Sequence, residues 1–60
     1  MDNYTIIVEI LTETPDLTIC EIKEKTSLEP MDIFNILEGT EYGFQFRSFK
    51  TDKGLVYSKI

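Results

Sequence analysis

The 60-residue chain contains no histidine and a single cysteine, Cys20. A lone cysteine cannot close an internal disulfide, so no disulfide framework holds this fold. One thiol with scattered carboxylates and no imidazole is not a zinc-binding set, and neither a metal nor a cofactor is expected. No hydrophobic run approaches the roughly 20 residues of a membrane span. The opening Met1-Asp2-Asn3 is acidic and polar, and Ile6-Ile7-Val8 is cut short by Glu9, so no secretion leader is read there. A free thiol without an export signal points to a reducing, cytoplasmic setting, in the host cell if the protein is viral. The start at Met1 fits a complete small reading frame, and a piece of a longer chain fits as well.

Chemistry is equally sparse. There is no glycine-rich phosphate loop and no nucleophile–base pair, so the chain is expected to be non-enzymatic and to have no small-molecule substrate. Cys20 stands beside Glu21 at the start of a helix, where a thiol pKa can fall; it is expected to be buried and inert. Repeats, low-complexity stretches and linkers are missing, so residues 1–60 read as one domain. At this size the fold must stand on packing alone or borrow stability from a partner.

What is present is an uneven charge distribution within a net charge of −5. Residues 1–43 hold Lys23 and Lys25 against ten carboxylates, or −8. Residues 44–60 hold Arg47, Lys50, Lys53 and Lys59 against Asp52, or +3. An asymmetry of this kind fits an oriented interaction surface; it equally fits a solvated acidic helix face and a lysine-bearing edge hairpin.

Four elements follow from periodicity and punctuation. Tyr4, Ile7, Ile10 and Leu11 share one helical face, Asp2 or Asn3 can cap them, and Thr14-Pro15-Asp16 closes the element, so a helix is predicted over about 3–13. The β-branched run Thr5-Ile6-Ile7-Val8 pulls toward a strand. Thr18-Ile19-Cys20-Glu21 is a capping box and opens a second helix over about 18–25, with Ile19 and Ile22 inward. Pro30 suits the first turn of a third helix over about 30–38, with Ile33, Phe34, Ile36 and Leu37 on its apolar side and Gly39 at its end. The alternating segments Phe44–Phe49 and Leu55–Ile60, joined by Thr51-Asp52-Lys53-Gly54, predict a hairpin over about 44–60.

Helix, helix, tight turn, helix, hairpin is the order of a winged helix-turn-helix domain, and several stretches resemble that superfamily. Ile6 through Leu11 resembles its opening helix. The run with Leu17-Thr18, Glu21-Ile22 and Thr26 is similar to its second helix. Leu28 through Leu37 is similar to its third helix, and Gly43 through Tyr57 to its wing. The resemblance covers nearly the whole chain and concerns architecture. It implies a small α+β fold of three helices and a C-terminal wing.

The family commonly binds DNA with the third helix in the major groove and the wing on the backbone. By that resemblance the groove-facing positions here are Met31, Asp32, Asn35 and Glu38. Asn35 suits an adenine edge, but Met31 offers only apolar contact, and Asp32 and Glu38 repel phosphate. The third helix carries no lysine or arginine, and Ser27 stands where the family often has glycine.

Two functional readings remain open. In the first, the chain is a transcription-regulator-type nucleic-acid binder working through Arg47, Lys50 and Lys53, with Asn35 in support. Phe44, Phe46, Phe49 and Tyr57 add aromatic surface, although most of these are expected to pack on the helices. In the second, it is a protein-binding module, as in small viral inhibitors or acidic mimics of nucleic acid. Its contact residues are then Met31, Asp32, Phe34 and Glu38, because so small a core cannot also hide Phe34, Ile36 and Met31. Its partner is another protein or a second copy of the chain.

Overall fold

Residues 2–60 are described by a computed structural model. Three helices come first: α1 (Asn3–Glu13), α2 (Ile19–Thr26) and α3 (Pro30–Glu38). A short 3-10 turn over Gly43–Gln45 leads into an antiparallel hairpin of β1 (Phe46–Thr51) and β2 (Gly54–Lys59). This is the α+β order predicted, three helices followed by a two-stranded hairpin, and it is compatible with a winged helix.

Each helix begins for a local reason. The Asp2 carboxylate accepts the Thr5 N–H at 2.8 Å and caps α1. That cap and the burial of Ile7 and Leu11 one turn apart outweigh the strand preference of Thr5-Ile6-Ile7-Val8. The capping box of α2 forms: the Glu21 N–H donates to Thr18 Oγ1 at 3.2 Å, and the Thr18 N–H donates to Glu21 Oε1 at 3.0 Å. Thr18 is therefore the cap, and the helix starts one residue later than the sequence suggests. At the other end Ser27 adopts a left-handed φ of 62° and donates its N–H to Lys23 O at 2.7 Å. A serine tolerates there a conformation that glycine takes more readily. Pro30 occupies the first turn of α3, where its missing N–H costs nothing.

Two sequence expectations about the last third need correction. The segment around Phe44 is not strand. The Gln45 N–H bonds Tyr42 O at 2.9 Å and the Phe46 N–H bonds Gly43 O, so the chain winds a tight turn before extending. The simple in–out alternation of the second strand also fails, since Val56, Tyr57 and Ser58 are buried in succession. The cause is position. β2 lies between β1 on one side and Leu17 on the other, where Leu17 and Tyr57 exchange main-chain bonds of 3.2 and 2.8 Å. A strand flanked on both edges hides residues from both of its faces, whereas β1 at the margin buries only Phe46.

The core joins the three helices and both strands: Ile7 and Leu11 from α1, Ile22 from α2, Ile33 and Leu37 from α3, Phe46 from β1 and Tyr57 from β2, with Leu17 from the segment before α2. Tyr4 and Tyr42 stack at 4.2 Å between ring centroids, and Tyr4 meets the edge of Phe46 at 6.3 Å. Buried Ser58 is satisfied by Asp16, whose N–H donates to the Ser58 hydroxyl at 3.1 Å while that hydroxyl donates to the Asp16 carboxylate. Asp16 holds a left-handed φ of 64°, a conformation aspartate reaches more easily than most residues. At the hairpin tip Asp52 and Lys53 keep negative φ, and the one positive value, 115°, falls on Gly54.

Candidate binding surfaces

The third helix has two faces of opposite character that are both apolar in part. Ile33 and Leu37, one turn apart, are 0% and 2% exposed. On the outer side Met31 is 72% and Phe34 50% exposed, one turn apart, and Asn35 and Glu38 continue the same stripe. Asp32 lies in the first turn and is also exposed, while Ile36 is half-buried. Sequence reasoning placed Met31, Asp32, Phe34 and Glu38 on one contact surface, and all four are solvent-facing.

Glu38 also has a structural task. The Tyr57 hydroxyl donates to its carboxylate at 2.7 Å. Burial of the ring, reinforced by the Glu38 charge, pushes the Tyr57 phenol up to about 12. The next residue, Gly39, is required by space and not by a left-handed turn. Its φ is −74°, and a Cβ would stand 2.1 Å from the Asn35 carbonyl oxygen. The sequence expectation of a glycine ending α3 therefore holds for a steric reason.

The four residues grouped for nucleic acid are dispersed. Arg47 shares a face of the hairpin with Phe49, Val56 and Ser58, while Lys50 lies on the opposite face with Leu55, because positions three apart in a strand point opposite ways. Lys53 pairs with Glu21 at 3.0 Å, the one ion pair among the described residues. Glu21 is held below its ordinary value first by the Thr18 main-chain N–H and then by Lys53. The hairpin tip thus touches the N-terminus of α2 through this exposed pair. Asn35 is exposed on α3, a separate element.

Cys20 is exposed, contrary to the expectation of a buried thiol. It lies two positions after the Thr18 cap, on the side of α2 away from buried Ile22. Of the hairpin aromatics, Phe46 and Tyr57 enter the core, whereas Phe49 and Phe44 stay exposed. Phe44 (75% exposed) and Ile60 (71%) both lie toward the open end of the hairpin, where the Ile60 N–H bonds Gln45 O at 2.9 Å. Sequence reasoning missed this pair because it placed Phe44 inside a strand. Among the described residues no group of acidic, thiol or imidazole side chains is arranged to hold a metal, no pocket opens, and no helix is long and apolar enough to cross a membrane. Compared with protein-family models, with curated proteins and with solved structures, the chain matches none of them.

Proposed function

We propose that this chain is a small winged-helix-type module that binds a protein, laying the outer face of α3 into an apolar groove rimmed by cations. The observation that carries the reading is the exposure of Met31 and Phe34 on a helix without a lysine or arginine. Two large apolar side chains one turn apart are the anchors of helix-in-groove recognition. Glu29 at the cap, Asp32 in the first turn and Glu38 at the last residue give α3 only negative side-chain charge, and the chain as a whole carries −5. The same charges oppose entry of α3 into a major groove, where each phosphate contact needs a cation.

The rival reading, nucleic acid held by the hairpin, draws on Arg47 and Lys50, both exposed and outside the one ion pair among the described residues. One experiment separates the two. A labelled mixed-sequence duplex is titrated by fluorescence anisotropy at about 50 mM and about 200 mM salt, and partners are captured in parallel on wild type and on a Met31→Ser/Phe34→Ser variant. The protein reading expects no duplex binding at low salt and a set of captured proteins that the variant loses. Duplex binding that falls steeply with salt and disappears in Arg47→Glu would establish the nucleic-acid reading instead.

A further inference from the structure

The hairpin has an unpaired edge, on β1, that is separate from α3. Its main-chain pattern follows from the bonds already described. Tyr57 directs its N–H and C=O at Leu17, so its neighbours Val56 and Ser58 direct theirs at β1. Their partners Phe49 and Arg47 therefore face inward along the ladder, as does Gln45, whose C=O takes the Ile60 N–H. The alternate residues face outward. Phe46 uses its N–H on Gly43, which leaves its C=O and both main-chain groups of Ser48 and Lys50 along an open edge. Five of the six residues of β1 are exposed.

An open edge accepts an added strand, and its side chains decide which one. β1 carries Arg47 and Lys50, one on each face, and no carboxylate. Pairing with a second β1 would gather four cations and no anion on one ladder, which disfavours self-association; lysines on edge strands serve this purpose. An incoming segment with two carboxylates three residues apart meets both cations, because that spacing also places one charge on each face. Exposed Phe49, between Arg47 and Lys50, offers apolar contact on the Arg47 face.

We infer that the free edge of β1 receives an extended acidic segment of a partner protein as an added β-strand, bonded through Ser48 and Lys50 and held by Arg47 and Lys50.

The probe is a capped peptide, Thr-Glu-Val-Thr-Glu-Thr, with otherwise identical peptides carrying Gln or Lys in place of both Glu. Amide shifts and hydrogen exchange of the labelled protein are followed by NMR as each peptide is added, up to about 1 mM. The Glu peptide is expected to slow exchange at Ser48 and Lys50, with Arg47 and Phe49 little changed because they already sit in the ladder. The Gln peptide is expected to bind about tenfold more weakly and the Lys peptide not at all. Ser48→Pro removes an outward donor and is expected to abolish binding. If that variant fails to fold, Arg47→Glu/Lys50→Glu decides, with binding transferred from the Glu to the Lys peptide. The inference is overturned if no peptide binds, if all three bind alike, if the shifts map to α3, or if the charge-reversed hairpin still prefers the Glu peptide. The Met31→Ser/Phe34→Ser variant is expected to bind the peptide as wild type does, so failure of the α3 reading leaves this result standing.

Discussion

Helices α2 and α3 are of similar length and each turns apolar residues to the same core, yet their outer faces differ. The exposed side of α2 is Cys20, Lys23, Glu24 and Lys25, and its ends are secured by a capping box and by Ser27. The exposed side of α3 includes Met31 and Phe34, and Glu29 supplies no side-chain cap at its N-terminus. α2 is thus built to form from its own sequence. α3 forms chiefly because Ile33 and Leu37 are buried, whereas Met31 and Phe34 leave 72% and 50% of their surface in solvent. Exposed surface that folding does not use is where a binding function is sought.

The largest expected effect comes from breaking what the helices share. Ile22→Ala or Ile33→Ala removes a fully buried side chain and is expected to cost about 2–5 kcal/mol. A core of this size supplies only about 3–5 kcal/mol, so circular dichroism should show either variant largely unfolded at ambient temperature. An intact, cooperative melt would mean that the inner faces of α2 and α3 are not the common foundation.

Next is the cap that distinguishes α2. Thr18→Ala is expected to cost about 1 kcal/mol, read as a lowered thermal midpoint. Removing Lys53, which touches the same capping box, is expected to cost well under 1 kcal/mol because exposed ion pairs contribute little. If Lys53→Ala proved as costly as Thr18→Ala, the contact between hairpin tip and α2 would be a structural clasp.

At the C-terminal end of α3 the Tyr57–Glu38 bond gives a pH dependence. The Tyr57 phenol is raised from 10.0 to about 12 in the folded chain, so its contribution to stability is complete below pH 10 and is lost as pH rises toward 12. Alkaline titration of the folded fraction should show this loss, and Tyr57→Phe should remove that part of it. Net cost of the substitution at neutral pH is about 1 kcal/mol, one hydrogen bond.

How far the sequence discloses the molecule differs between the same regions. The capping box, Pro30 and the spacing of Ile33 and Leu37 place α2 and α3 within a residue of their observed limits, because those signals are local. Exposure of Met31 and Phe34 was legible too, since a core of this size has no room for both faces of α3. The hairpin was harder. Its burial depends on Leu17 bridging β2, a pairing between residues 40 positions apart that leaves no periodic mark. The dispersal of Arg47 and Lys50 was available from strand period alone once the register began at Phe46. Reading Cys20 as buried followed the general habit of free cysteines; its place in the cap turn of α2, off the Ile22 face, exposes it.

The most direct test of the central claim compares the stability and the binding of a Met31→Ser/Phe34→Ser variant with those of the wild type. The account predicts a melt lowered by no more than about 1 kcal/mol, about 0.5 kcal/mol for each substitution, together with loss of the proteins that both the wild type and Arg47→Glu/Lys50→Glu capture. A variant that melts markedly lower, or that keeps those partners while Arg47→Glu/Lys50→Glu loses them, would contradict it.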